Sequence, residues 1–403
     1  MIAALPQEKE LNSDMSKILC IIDGMTDPYF QVKNFLNLSS MRLLRHVDTT
    51  QGQTPESLGC ILRLLGTKRV PPHLRGYAEA LGYGIPVNKN DLILRGSWFS
   101  LDEQGCCDVP TSAPESLPES EGYYYHLEQY KSLLVFPGMA GCIVDMVTYP
   151  PYACNGQTAR TLCPKRCAVA SRVFHAQLAK DRCLILWGQS APAKIVPFPQ
   201  KAAVICGTPI VKGIAKLLNM TLISVSGATG DTDTNLQEKT KAAISTAQNY
   251  PFVLLHINGA DEAAHRKNLN EKNDFLRKVD TVVVNSLLQS GHDIYVASDH
   301  GTDPVTGQHI GNRQPMFTNA STELIQRRSD KSQKNSHMTE SERKEWAIRQ
   351  LQSKAKELGH LPRKADFDEM NIMRIKEALG PWPRAQEAAG LKERKTKRGG
   401  SFK

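Results

Sequence analysis

The sequence predicts an α/β protein with a doubly wound, mostly parallel sheet, an inserted α+β cap domain and a small all-helical C-terminal module. Apolar runs without polar alternation recur between residues 16 and 320, and such runs are typical of parallel strands covered on both faces. Segments with helical spacing separate these runs, which is the pattern of a doubly wound sheet. The alternation stops between residues 68 and 195, and the composition changes again after residue 320.

The predicted strands are apolar runs rich in Ile, Val and Leu, and they cover residues 18–22, 202–206, 221–225, 252–257 and 294–298. The helices predicted between them cover about 209–218, 235–249 and 271–290. In such a sheet, ligands bind beyond the carboxyl ends of the strands. Polar side chains at those ends are therefore the first candidates for a functional site.

The predicted domain organisation follows these changes of pattern along the chain. Its parts are an extension at 1–15, a core at 16–67 and 196–320, an inserted cap at 68–195, a linker at 321–345 and a basic helical module at 346–403. Within the insertion, the segment CDVPTSAPESLPESEG is rich in Pro, Ser and Glu, which predicts a surface loop.

The composition is that of a globular chain with room for two or three domains. The chain has 403 residues, of which 40% are hydrophobic, and its apolar runs are shorter than the ~20 residues of a membrane span. The first residues match no secretory signal, so we expect a cytoplasmic protein with reduced thiols and no membrane partner. Of the ten cysteines, Cys154, Cys163 and Cys167 could form a zinc cluster, but their spacing matches no standard zinc pattern.

The candidate site residues are Asp and His side chains near the ends of apolar runs. Asp23 closes the first run, Asp261 and His265 follow FVLLHI at positions i and i+4, and Asp299–His300 closes DIYVASDH. Residues at i and i+4 share one face of a helix, as a pair of metal ligands requires. His309 follows in a Gly-rich loop.

Each of these residues also has an ordinary structural interpretation. An Asp-x-x-x-His pair is often a surface pair, an Asp-His pair often lies in a turn, and Asp23 before Gly24 could begin one. Ser57, in TPESLGCILRLLG, could be a helix N-cap. Taken together at strand ends, however, carboxylates, imidazoles and one hydroxyl predict a two-metal phosphoryl-transfer site. Asp and His ligands favour Mn²⁺ or Zn²⁺ over Mg²⁺.

Longer motifs around these residues resemble a known family. The order Asp, Ser, Asp-x-x-x-His, Asp-His, His is similar to that of the alkaline phosphatase superfamily, and more closely to the archaeal-type cofactor-independent phosphoglycerate mutases. The segments that carry the resemblance are KAAVICGTPIVKGIAKLLNMTLISVSGATGDTDTN, HINGADEAAHRKNLNEKNDFLRKVD, ASDHGTDPVTGQH and SLGCILRLLG. The similarity covers roughly residues 16–318, and it implies an alkaline-phosphatase-like core.

The resemblance implies a role for each site residue. Ser57 would be the nucleophile that forms a phosphoserine, with Lys212 near it to lower the pKa of the hydroxyl. One divalent metal would be held by Asp23, Ser57, Asp299 and His300. A second would be held by Asp261, His265 and His309. Arg95 matches a family arginine and would bind substrate.

The implied reaction is the glycolytic interconversion of 3- and 2-phosphoglycerate by an isomerase that needs no 2,3-bisphosphoglycerate. The chain departs from the family at two places: Leu58 follows Ser57 where the family usually has an acidic residue, and Gly96-Ser97 of the predicted cap follows Arg95 where the family has Cys-Asn. Two alternatives therefore stay open. One is a two-metal phosphatase or phosphotransferase acting on another phosphoester, such as phosphohomoserine or a sugar phosphate. The other is a nucleic-acid-binding regulatory protein that retains the enzyme fold.

The C-terminal segment carries nearly all the net charge. Residues 321–403 contain 20 Lys and Arg against 12 Asp and Glu, so they account for +8 of the total charge of +9. The spacing predicts a helix that ends at Gly359, a second over about 368–379 and a third ending at Gly390. The pattern resembles the helical repeat found beside homing endonucleases, which implies DNA binding; the alternative is a docking or oligomerisation lobe.

Overall fold

The computed structural model describes residues 16–117, 121–320, 340–367 and 369–392. The chain forms two compact units, of which the first ends at Ala320 and the second begins at Ser321. The predicted extension at 1–15 lies outside the described residues.

The centre of the first unit is a mostly parallel sheet, as the sequence predicts. Among the described residues this sheet has seven strands, and its two antiparallel pairings lie together at one edge. In order across the sheet, the strands are β10 (Thr221–Leu222), β9 (Ala202–Ile205), β11 (Phe252–Ile257), β1 (Lys17–Ile22), β12 (Asp293–Ala297), β15 (Gln314–Thr318) and β3 (Arg42–Val47). The predicted strand at 221–225 is thus reduced to its first two residues.

Helices cover both faces of this sheet, because alternate strand residues point to opposite sides. Leu19 and Ile21 belong to one apolar cluster, and Ile18 and Cys20 belong to another. The first cluster includes residues of α2 (Ser57–Leu64), α3 (Arg75–Tyr83) and α5 (Pro209–Leu217). The second includes residues of α1 (Leu36–Ser40), α6 (Leu236–Ala247), α7 (Gly259–His265), α8 (Leu269–Lys278) and α9 (Asn285–Leu288). A short π-helical segment, Val279–Val284, joins α8 to α9.

A small sheet lies beyond the carboxyl ends of the central strands. Its strands, in order, are β14 (His309–Ile310), β13 (Gly301–Thr302) and β2 (Gly24–Thr26). Since β2 follows β1 and β13 follows β12 after a few residues, this sheet keeps the two chain segments side by side after they leave the large sheet.

In its described part, the insertion from residue 92 onward forms an antiparallel sheet with its own apolar cluster, which includes residues of α4 (Ala168–Ala176). The helix α3 lies within the predicted insertion, but its Ala78 belongs to the first apolar cluster of the large sheet. The strands of the antiparallel sheet are β4 (Leu92–Leu101), β5 (Cys107–Pro110), β6 (Tyr123–His126), β7 (Lys131–Phe136) and β8 (Arg182–Ser190). β4 is central and pairs with β5, β7 and β8. The first residues of the segment predicted as a surface loop form β5 instead. Their backbone pairs with β4 at the edge of the sheet, while the side chains of Asp108 and Val109 stay exposed as in a surface segment.

The second unit is helical in its described part. Its helices are α10 (Glu340–Leu358), α11 (Glu369–Leu379) and α12 (Trp382–Ala388). Leu351, Ile375 and Trp382 are buried in a common cluster. The first helix begins inside the segment predicted as a linker, where Glu340 and Lys344 form an i,i+4 pair at 2.6 Å. Residues 321–339 of that segment lie outside the described residues. Within the described chain, every helix is too short or too polar to cross a membrane.

Candidate metal centre

The large sheet brings the predicted ligands together at one edge. β1 pairs in parallel with β11 on one side and with β12 on the other. Asp23 directly follows β1, Asp261 lies in α7 just after β11, and Asp299 and His300 lie between β12 and β13. Because adjacent parallel strands end at the same edge, these side chains converge. His309 reaches the same place because it begins β14 of the small sheet.

Two groups of side chains could each hold a metal ion in the described part of the chain. The first, the His265 group, consists of Asp261, His265 and His309. The Asp261 Oδ2 oxygen lies 3.3 Å from His265 Nε2, and Asp261 Oδ1 lies 3.6 Å from His309 Nε2. The two imidazole Nε2 atoms are 3.0 Å apart. This is the second ligand set implied by the sequence.

Backbone carbonyls fix the orientation of these imidazoles. His265 Nδ1 lies 2.8 Å from the Gly307 carbonyl oxygen, and His309 Nδ1 lies 2.6 Å from that of Pro55. A carbonyl only accepts, so each Nδ1 carries the proton and donates. In the neutral form, each imidazole then has a lone pair on Nε2 that faces the other side chains of the His265 group. This is the arrangement of metal-binding histidines.

The second, the His300 group, consists of Asp23, Asp261 and His300, all buried. His300 Nε2 lies 3.5 Å from Asp23 Oδ1 and 3.5 Å from Asp299 Oδ2. The sequence placed Asp261 in the other set alone, whereas the geometry makes it common to both groups. Asp299 adjoins this group through its contact with His300.

Ser57 lies against the His300 group. Its hydroxyl Oγ is 3.1 Å from His300 Nε2 and 3.4 Å from Asp23 Oδ2. The N-cap position of α2 belongs to Glu56, so Ser57 is the first helical residue and its side chain makes no cap. The amino end of the helix, with its partial positive charge, therefore adjoins the hydroxyl.

His256 is a residue that the sequence reasoning missed. It is fully buried in β11, paired in register with Ile21, and its Nε2 lies 3.3 Å from Asp23 Oδ2. A histidine within an otherwise apolar strand was the available signal. Its position on the strand adjacent to β1 makes it a neighbour of Asp23.

The charges of the site are strongly perturbed. Burial, together with the charges of Asp299 and Asp261, raises the pKa of Asp23 well above its usual value. Burial opposes the shift at His265, but the hydrogen bond and charge of Asp261 raise the pKa of His265 to about 9. Burial lowers the pKa of His256 and of His309 to about 4. The fold thus holds repelling carboxylates together with His256 and His309, whose pKa values favour the neutral form, and with His265, whose pKa favours the protonated form.

These residues fit a divalent metal ion. Within the described chain, Asp23 Oδ1 and both carboxylate oxygens of Asp299 are buried without a hydrogen-bond partner. Buried carboxylates without donors are costly unless a cation compensates them. Carboxylate oxygens and imidazole nitrogens are suitable ligands for Mn²⁺ or Zn²⁺.

A cavity of about 580 Å³ is lined by the chain neighbours of Ser57, although Ser57 itself is not among its lining residues. Its wall includes Glu56, Leu58 and Gly59 from the start of α2 and Trp187 and Gln189 from β8 of the inserted sheet. Arg75 at the start of α3 also lines it, and its guanidinium carbon lies 5.5 Å from the centroid of the Trp187 ring.

The remaining predicted residues, Lys212 and Arg95, do not line this cavity. Lys212 is half-buried in α5, which contacts α2. Arg95 is buried in β4 and forms an ion pair with Glu79, which also accepts from Arg75 Nε at 2.8 Å. Arg95 is not among the residues that line the cavity, whereas Arg75, which the sequence reasoning did not select, is.

The absence of a side chain at Gly24, next to Asp23, lets the backbone of Asp261 pack closely against it. The φ of Gly24 is +64°, and an added Cβ would lie 2.7 Å from the Asp261 Cα atom. We expect Gly24→Ala to lower the free energy of unfolding by about 2–4 kcal/mol, from the left-handed conformation and from overlap. Chemical denaturation measures it. Gly105→Ala is the control, since Gly105 has φ +75° and no atom within 4 Å of its Cβ position. An equal loss of unfolding free energy in the two variants would show that overlap with Asp261 contributes nothing.

An α/β sheet with groups of carboxylates and imidazoles beyond its strand ends defines a class, the metal-dependent enzymes. The chain belongs to the Metalloenzyme superfamily, whose family model matches residues 3–341. A second model, the homing endonuclease associated repeat, matches residues 342–392.

Curated relatives carry the name 2,3-bisphosphoglycerate-independent phosphoglycerate mutase. The relative from Methanococcus vannielii is 35% identical over 130 residues, which is 30% of this chain and 32% of the relative. The one from Ignicoccus hospitalis is 26% identical over 298 residues, or 62% of this chain and 71% of the relative. The chain thus spans about a third of the length of the first relatives it matches.

A solved structure from Pyrococcus horikoshii shares the fold. It covers 75% of this chain and 87% of its own, with a TM-score of 0.55 at 20% identity. At that identity the likeness concerns the fold alone.

Proposed function

We propose that the chain is a metal-dependent phosphoglycerate mutase that interconverts 3- and 2-phosphoglycerate without 2,3-bisphosphoglycerate. The observation that carries the proposal is the Ser57 hydroxyl, which lies 3.1 Å from His300 Nε2 and 3.4 Å from Asp23 Oδ2. The names of the curated relatives support the choice of reaction.

The proposed reaction transfers one phosphoryl group to Ser57 and back. Ser57 Oγ–H donates toward Asp23 Oδ2, so the carboxylate orients the hydroxyl for attack on phosphorus. The Oγ–P bond forms as the bond from phosphorus to the C3 oxygen breaks, and the proton lost by Ser57 is taken up by that oxygen. The C2 hydroxyl then attacks the phosphoserine, and Ser57 regains its proton.

We propose that the chain binds two divalent ions, with Mn²⁺ as the preferred metal. One would be held by the His265 group, and the other by the His300 group together with Ser57 and Asp299. When bound, such ions would lower the pKa of the serine hydroxyl and neutralise charge that develops on the phosphoryl oxygens. Lys212 would add a positive charge near the serine from α5, which contacts α2.

The cavity supports an anionic substrate that must be kept from water. Arg75 and His73 line it with Glu56, and a guanidinium suits either a carboxylate or a phosphate group. The inserted sheet contributes Trp187 and Gln189 to the wall. A glycerate held here and shielded from water would present its own hydroxyl as the acceptor of the phosphoryl group, which is what separates a mutase from a phosphatase.

An activity assay with purified chain tests this proposal. With Mn²⁺, 3-phosphoglycerate and no bisphosphoglycerate, we expect 2-phosphoglycerate to form without release of inorganic phosphate. Release of phosphate would instead support the alternative of a phosphatase. Turnover of phosphohomoserine or a sugar phosphate, with none of phosphoglycerate, would overturn the assigned substrate.

We further propose that the second unit binds nucleic acid. The match to the homing endonuclease associated repeat favours this function. Exposed basic side chains on and between its helices support it; they are Lys356, Arg363, Lys364, Arg374, Lys376 and Arg384. Lys and Arg side chains on such a surface would neutralise phosphates of the backbone.

If the second unit binds DNA through phosphate contacts, the affinity should depend steeply on salt concentration. We expect the logarithm of the affinity to fall linearly with the logarithm of salt concentration, with a slope of about −0.9 for each phosphate contacted. Truncation after residue 330 should abolish this binding, as measured by fluorescence anisotropy with a labelled duplex. An affinity unchanged by the truncation would refute the assignment.

A further inference from the structure

A buried ion pair adjoins the small sheet next to the candidate metal centre. Lys272, in α8, has no exposed side-chain surface, and its Nζ lies 2.5 Å from Asp27 Oδ2, which is 3% exposed. The same ammonium donates to the Thr302 carbonyl oxygen at 2.7 Å and lies 3.5 Å from that of Thr26. The candidate metal centre as described above uses neither Lys272 nor Asp27.

These acceptors belong to the segments that carry the candidate ligands. Thr26 ends β2, which follows Asp23, and Thr302 ends β13, which follows His300. The Thr302 hydroxyl also donates to Asp261 Oδ1 at 2.5 Å. One ammonium therefore connects the strands that directly follow Asp23 and His300. Through Thr302 it is also connected to the Asp261 carboxylate, which both groups share.

Among the described residues, few other interactions hold β2 and β13 side by side, because the two strands are short and pack closely. Gly301 faces Thr26 across the small sheet, and a Cβ at Gly301 would lie 2.8 Å from the Thr26 carbonyl oxygen. β2 and β13 are three and two residues long, so their ladder supplies few hydrogen bonds. A buried ion pair is costly compared with apolar side chains of similar volume, and it is often retained because it fixes one arrangement.

We propose that the Lys272–Asp27 ion pair positions the metal ligands, holding Asp23, His300 and Asp261 at the spacing that a divalent cation requires. The inference rests on the proposed metal-dependent function. The role is one of positioning, since Lys272 acts through Thr302 and Thr26 and through Asp27. Its consequence is a higher affinity of the folded chain for the cation.

The test is a calorimetric titration of the metal-free full chain with Mn²⁺. Lys272→Met alone would leave Asp27 buried and unpaired, so the informative variant is the double change Asp27→Leu with Lys272→Met. Apolar replacement of both partners is often neutral for stability, so we expect a melting temperature near that of the parent. We expect the affinity for Mn²⁺ to fall about 10- to 100-fold, the usual effect of removing a group that orients ligands.

Asp280→Ala is the matched control. The Asp280 carboxylate is buried and accepts from the backbone amides of Leu38 at 2.8 Å and Asn37 at 3.1 Å, in α1. This variant should melt at a lower temperature and bind Mn²⁺ as the parent does. A double variant with the parent's affinity overturns the positioning role alone. A parent that takes up no divalent cation overturns the proposed function and this inference together.

Discussion

Replacing Ser57 by Ala is expected to abolish phosphoryl transfer. The hydroxyl is the only atom of this side chain that faces Asp23 and His300, at 3.4 and 3.1 Å, and alanine removes it while keeping the helix residue. Loss of a nucleophile that acts together with its activating groups lowers kcat by about 10⁴- to 10⁶-fold in comparable systems. The measurement is the initial rate of 2-phosphoglycerate formation.

The covalent intermediate gives this prediction a second readout. Acid quenching during turnover should leave phosphate on a peptide that contains Ser57 in the parent and none in the variant. Ser39→Ala is a suitable control, because Ser39 is exposed in α1 and its hydroxyl only donates to the Leu36 carbonyl. Turnover of Ser57→Ala at the parent rate would eliminate the phosphoserine mechanism.

Replacing Asp261 by Asn is expected to have the next largest effect, because this carboxylate belongs to both ligand groups. The amide keeps the volume but loses the negative charge and one acceptor oxygen. Removing a charged ligand should lower the bound metal from two ions to one or none, and kcat by about 10³-fold or more, of the order found when one stabilising group is removed.

Metal content by elemental analysis separates this effect from unfolding. Asp274→Asn is the control, since Asp274 is two-thirds exposed on α8 and pairs only with Arg277. We expect it to retain both ions and full activity. Two bound ions in Asp261→Asn would contradict the shared role of this carboxylate.

The sequence predicts the ligand segments well because they depend on local patterns. An apolar run followed by Asp reads as a strand end, and the parallel order then determines the edge at which Asp23, Asp261 and Asp299 meet. The prediction fails where register between strands decides the contact. His256 is hidden in an apolar run, and only its pairing opposite Ile21 places it at Asp23.

The role of each individual residue depends on distances in the folded chain, and the spacing of residues along the sequence does not determine those distances. Whether Asp261 serves one group or both depends on which way its two oxygens point, and Thr302 and the histidines determine that. The cavity combines residues of α2 and α3 with Trp187 of β8, which lies more than a hundred positions later in the chain. Arg95 is conspicuous in the sequence, yet the fold pairs it with Glu79 inside the protein.

The uncompensated oxygens of Asp23 and Asp299 couple the folding of the first unit to its supply of ions. A cation that binds only the folded chain adds about 2.7 kcal/mol to its stability at a free concentration 100 times its Kd. Because burial and neighbouring carboxylates raise the pKa of Asp23, the metal-free chain tends to take up a proton there on folding. Cation uptake would release that proton, so acid and chelators would act on the same equilibrium. The abundance of active protein would then follow the free metal concentration around it.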